Sequence, residues 1–209
     1  MPKAFTEHEK QLIREQLLEQ GYKQFAAHGL KKTSIDELAE AVGISKGAFY
    51  IFYESKEALF MDVVEEAEKR FREQVLAVID LPGSSPRARL VAVLREAFTA
   101  WVQMPILQVF TRGDYDVLYR KIPVDKLQEH LASDRVFVED LIARCNQAGI
   151  PIQAPIEQID SLLHAIFFIS LHQEDLAPYN YPNAMNLLME LTVSFCLGEV
   201  VVPAQPESE

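Results

Sequence analysis

The stretch SIDELAEAVGISKGAFYIFYESKEALF, Ser34 to Phe60, admits few folds. Ser34 with Glu37 forms a capping box, and Ile35, Leu38, Ala39 and Val42 share one helical face before Gly43 stops the run. Ser45 can cap a second short helix in which Phe49 and Phe52 face inward while Lys46, Ala48 and Tyr50 lie on other faces. Ser55 then caps a longer helix with Leu59, Phe60, Val63, Val64, Ala67, Phe71, Val75, Val78 and Ile79 inward. Two short helices around a glycine turn, fixed to a long one, cannot be rewritten as strands.

The rest of the chain keeps the same period. Thr6 with Glu9 repeats the capping box and starts a first helix of about twenty residues, with Leu12, Ile13, Leu17, Leu18, Tyr22 and Phe25 at helical spacing and Gly29 as its stop. Beyond the break LPGSSP (Leu81 to Pro86), helices are expected near Arg87–Gln103, Ile106–Arg112, Val124–Gln147, Ile156–Gln173 and Asn183–Leu197. Alternating runs bounded by hairpin turns do not occur, so the expected class is all-α. The tail PAQPESE is expected to be disordered.

Cys145 and Cys196 lie far apart without C-x-x-C spacing, which predicts buried thiols and neither a disulfide framework nor a cysteine metal site. No apolar leader follows Met1, and the most apolar run, Leu162 to Leu171, is about half of the ~20 residues that cross a bilayer. A cytoplasmic protein without a membrane role is expected. The net charge of -11 argues against nucleic acid until its distribution is read. Eight basic and eight acidic residues balance from Met1 to Lys56, so the remaining 12 basic and 23 acidic residues carry the whole excess.

A short helix, a glycine turn and a second short helix have the spacing of a helix-turn-helix, whose second helix lies in the DNA major groove. Ser45 and Lys46 would stand at the positive end of that helix and Tyr50 one turn on, all able to bond phosphates or bases. Gly47 costs roughly 1 kcal/mol of helix propensity relative to Ala, which makes sense where a backbone must be approached closely. Thr33, Ser34 and Lys56 flank the motif at helix starts, which suit phosphate. Phe49 is expected to support the others from beneath.

The stretch FAAHGLKKTSIDELAEAVGISKGAFYIFYESKEALF, Phe25 to Phe60, resembles the DNA-binding domain of the tetracycline-repressor (TetR) family of bacterial regulators. Phe25 and Gly29 before a Thr33-Ser34 helix start, Ile35, Ala39, VGISKGAFY and SKEAL carry the resemblance, which spans residues 8–70. It implies a helix-turn-helix domain over 8–70, with the motif near 34–53, and a regulatory and dimerisation domain over 71–200 before a tail, 201–209. It implies a homodimer on double-stranded DNA with a palindromic operator, and a repressor released by a small-molecule effector. Two departures stand out: Phe52 and Tyr53 replace the usual histidine or tyrosine followed by phenylalanine, and Ala48 replaces a frequent polar residue. Alanine offers bases only apolar contact, such as to a thymine methyl.

The helices near Ile156 and Asn183 are broadly apolar, and dimerisation through these last two helices is expected. Phe98, Trp101, Met104, Phe110, Tyr115, Tyr119, Phe137 and Phe168, with Asp114 and His164 as polar partners, are the candidate effector pocket, against the alternative of ordinary core. The Arg112–Asp114 tripeptide RGD reads as a helix end capped by Gly113. His164 and His172 lie eight apart, unlike an i, i+4 metal pair, and no metal or cofactor is expected. Without a nucleophile motif or phosphate-binding loop, an enzyme is not expected. A small-molecule enzyme and a helical interaction adaptor remain the alternatives.

Overall fold

The computed structural model describes residues 5–80, 85–107, 109, 121, 122 and 124–200. All regular structure among them is helical: α1 (Glu7–Lys32), α2 (Ile35–Ala41), α3 (Lys46–Phe49), α4 (Lys56–Ile79), α5 (Pro86–Val102), a 3-10 turn (Pro105–Leu107), α6 (Val124–Gln147), α7 (Ile156–Leu171), α8 (Gln173–Leu176), a second 3-10 turn (Ala177–Tyr179) and α9 (Tyr181–Cys196). None of the described helices is long and apolar enough to cross a membrane.

The caps behave as the sequence requires. Both halves of the capping box form at Thr6 and at Ser34, and Ser45 and Ser55 accept from the backbone N–H groups of Ala48 and Ala58. Gly29 breaks the helical geometry of α1 at φ 78°, and Gly43 turns the chain between α2 and α3 at φ 73°, conformations that glycine adopts without strain. Of the expected helix Ile106–Arg112, the described residues are Ile106 and Leu107, in a 3-10 turn that starts at Pro105, and Val109, which is helical. The connection EDLAPYNYP contains helical turns at Gln173–Leu176 and Ala177–Tyr179, local i to i+3 structure that a Pro- and Asn-containing loop conceals.

The chain forms two compact units, one from Met1–Phe71 with Trp101–His130 and the other from Arg72–Ala100 with Leu131–Glu209. The chain leaves the first unit after Phe71 and returns to it for Trp101–His130. The reason is packing: Ile106, Val109 and Ile122 are buried in the same cluster as Leu17, Phe25, Leu38, Phe49, Phe60 and Val64. An apolar face on α1 that α2 to α4 leave uncovered is closed by a segment much later in the chain.

Within this first unit, Phe25 meets Phe60 edge-on with centroids 5.3 Å apart. Gly21 lets α1 approach α4 closely, because a Cβ there would lie 3.1 Å from Val63 Cγ2 and 3.4 Å from Leu59. In the second unit, the Arg89 guanidinium donates to the carbonyls of Ile79 (2.7 Å) and Ala148 (2.6 Å). Arg87 joins the start of α5 to Glu190, Ser194 and Glu199 at the far end of the chain. Cys145 and Cys196 are free and buried, and desolvation pushes both thiols up to about 11.

Replacing Gly21 with valine puts a branched side chain into the α1–α4 contact. A loss of about 1–3 kcal/mol in unfolding free energy is expected, read from urea titration.

Candidate nucleic-acid interface

The turn at Gly43 aims α3, and the burial of Phe49 fixes its roll. Phe49 is fully buried, edge-on to Tyr50 (5.8 Å, 90°) and packed on Tyr53 (6.0 Å). With that ring held inside, Ser45, Lys46, Gly47 and Tyr50 are turned to solvent and Ala48 is half-buried. The turn continues past the helix, since the N–H groups of Ile51 and Phe52 donate to the carbonyls of Ala48 and Phe49. A Cβ on Gly47 would meet only Ser45 Oγ, at 3.9 Å. Packing inside the protein therefore does not require the glycine, and its outer side is bare backbone.

Lys46 does not stand alone. Its Nζ donates to Asp36 Oδ2 at 2.8 Å across the motif, both side chains being more than half exposed, and this bond raises the lysine pKa. Ser34 Oγ donates to Glu37 Oε2 at 2.8 Å while accepting from the Glu37 N–H.

Two expected phosphate ligands are built into the protein. Thr33 is 1% exposed, and its hydroxyl donates to the Gly29 carbonyl at 2.8 Å. Lys56 directs its ammonium to the carbonyls of Leu30 (2.6 Å) and Thr33 (2.8 Å). These are the acceptors that the end of α1 leaves unpaired, which a buried hydroxyl and a cation are well suited to satisfy.

Ile51 was not singled out from the sequence, yet it is 61% exposed beside Tyr50. The spacing contains the signal: once Phe49, Phe52 and Tyr53 turn inward, position 51 must face out with 46, 47 and 50. Phe52 rests on Phe5 with centroids 5.9 Å apart, and Tyr53 is buried beneath the Arg14 guanidinium. The departures at 52 and 53 thus serve packing.

The candidate effector residues separate. Trp101 and Met104 pack on the first unit's core, Trp101 meeting Phe71 at 5.4 Å. Phe98, Phe137, His164 and Phe168 belong to the second unit. There Arg72 lies over the Phe137 ring, His164 Nδ1 is 2.9 Å from the Asp160 carbonyl, and Phe168 packs against Phe167. Phe110, Asp114, Tyr115 and Tyr119 lie outside the described residues, as do RGD and the tail 201–209. On α9, Ala184, Leu187 and Leu191 form an exposed apolar seam, and α7 exposes Ala165 and Phe168.

Residues 17–63 match the family model described as bacterial regulatory proteins, tetR family. The Bacillus subtilis (strain 168) uncharacterized HTH-type transcriptional regulator YuxN is 39% identical over 71 residues, 34% of this chain and 24% of that protein. The Shigella flexneri HTH-type transcriptional regulator AcrR is 26% identical over 117 residues, covering 56% of this chain and 52% of that one. The matched part of the chain thus spans between a quarter and about half the length of these curated relatives. The fold is that of Thermus thermophilus FadR, a TetR-family repressor solved with lauroyl-CoA, at TM-score 0.61 and 20% identity over 94% of this chain and 99% of that one. The match to the TetR family of bacterial regulatory proteins is thus carried by residues 17–63, and the fold is shared with solved members of that family.

Exchanging Lys56 for methionine leaves the α1 carbonyls without their charged donor. Stability should fall by about 1–2 kcal/mol, while the salt dependence of DNA binding should stay that of the unaltered protein. Thermal unfolding and a salt titration separate the two.

Proposed function

We propose that the protein is a sequence-specific regulator of transcription, a repressor that binds duplex DNA through α3 and is released by a small-molecule effector in the cytoplasm. The observation that carries this is the outward set Ser45, Lys46, Gly47, Tyr50 and Ile51, presented by a helix whose roll the buried Phe49 fixes. Ser45, Lys46 and Tyr50 supply polar contacts, Gly47 permits close approach of a phosphate, and Ala48 and Ile51 offer methyl groups to a thymine. Ser34 contributes at the start of α2. Thr33 and Lys56 hold the head in shape and act on DNA through it.

A homodimer formed through α7 and α9 covers Leu187, Leu191 and Phe168, which a lone chain leaves in water. Two heads then meet successive major grooves, so the operator is palindromic. An effector that favours a DNA-incompetent arrangement releases the operator by no more than its differential affinity for the two states. Phe98, Phe137 and Phe168, with His164, all in the second unit, are the proposed source of its contacts.

Selection of bound sites from random and genomic DNA tests the assignment and should return a two-fold symmetric sequence. On that site Lys46→Ala and Tyr50→Ala should each weaken binding about five- to hundredfold. Unchanged binding for both would remove α3 from the interface. Leu187→Lys combined with Leu191→Lys should halve the mass seen by sedimentation and weaken operator binding with it; an unaltered mass would move the dimer contact elsewhere.

A further inference from the structure

The three acidic side chains on α2 are not equivalent. The Glu37 carboxylate is committed to its own helix start, its Oε2 accepting from the Ser34 N–H at 3.0 Å and from the Ser34 hydroxyl at 2.8 Å. Glu40 lies exposed toward the other end of the helix. Asp36 instead reaches across the motif to Lys46, the only cation in α3, although the two are distant in sequence and both remain in contact with water, at 54% and 66% side-chain exposure for Lys46 and Asp36. An exposed pair of this kind contributes little to folding. Its effect falls on whatever approaches α3.

A lysine attracts DNA because it replaces counterions condensed on the phosphates, and the gain scales with the cations delivered. A lysine that arrives with a carboxylate at 2.8 Å delivers a pair of zero net charge. The same cancellation holds over the segment as a whole, where eight basic and eight acidic residues balance up to Lys56. Lys56, turned inward to carbonyls, does not make up the difference.

Building on the regulator assignment, we propose that Asp36 sets the strength of the protein's sequence-independent attraction to DNA by neutralising Lys46. Phosphate must compete with the carboxylate for the ammonium at any sequence, operator or not. Asp36 thereby lowers affinity uniformly and flattens its dependence on salt.

The test is fluorescence anisotropy of a labelled random-sequence duplex and of the selected operator, titrated with full-length protein across a salt series. Wild type, Asp36→Asn, Asp36→Ser, Lys46→Ala and the double variant Asp36→Asn/Lys46→Ala are compared, with unfolding midpoints measured on each. Both Asp36 variants should steepen the plot of log affinity against log salt by about 0.9 per head and raise low-salt affinity by up to roughly tenfold per head. Operator and random duplex should gain alike, and most of the steepening should vanish in the Lys46→Ala background. Slopes equal to wild type, or the same steepening with and without Lys46, would overturn the proposal while leaving the regulator assignment intact. A gain confined to one base pair of the operator would do so too, by making Asp36 a base-reading residue. Wild-type protein that binds neither duplex would instead remove the regulator assignment, and this inference with it.

Discussion

The first unit depends on how the end of α1 is closed. A helix that stops leaves its last carbonyls unpaired, and burying them without donors carries a cost of about 1–3 kcal/mol each. Gly29 breaks the helix, the Thr33 hydroxyl turns back to the Gly29 carbonyl, and the Lys56 ammonium takes the carbonyls of Leu30 and Thr33. Because Thr33 directly precedes the cap of α2 and Lys56 opens α4, one junction sets where both helices start. The direction of α3 follows, since only the turn at Gly43 separates it from α2.

From that junction the motif divides its side chains by direction. Phe49 and Tyr53 are buried and Phe52 packs on Phe5, while Ser45, Lys46, Gly47, Tyr50 and Ile51 are left to solvent. The exposed set is small and carries one lysine, itself paired with a carboxylate. In the proposed regulator, a surface so sparing in charge would gain affinity from geometry and from being present twice in a dimer, and less from a diffuse positive field. That resolves the apparent conflict between a net charge of -11 and a nucleic-acid partner: the acidity lies outside this segment, and within it the opposite charges cancel.

The helices and their caps were legible in the sequence because capping and periodicity are local. Ser34–Glu37, Gly29 and Gly43 act within one turn of where they are written, and the phenylalanine at 49 announces its burial by spacing alone. What the residue pattern did not convey is which polar groups the protein uses on itself. A threonine before a helix and a lysine at a helix start look the same whether they meet a phosphate or a carbonyl, and Thr33 and Lys56 meet carbonyls. The Asp36–Lys46 pair was hidden for a related reason, being a contact between two helices whose crossing only the fold defines. Gly21 gave no sign either, because a glycine within a helix is written the same way whether or not another helix lies against it.

Ile106, Val109 and Ile122 belong to the core that also holds Leu17 and Phe25, although the stretch Arg72–Ala100 lies in the other unit. On the ribosome, the helices up to α4 would emerge with an apolar face waiting for residues not yet translated. At synthesis rates of about 5–20 residues per second, that face stays uncovered for seconds. The same connectivity means that cutting the chain after Phe71 would produce a fragment lacking part of its own interior, not a minimal DNA-binding module.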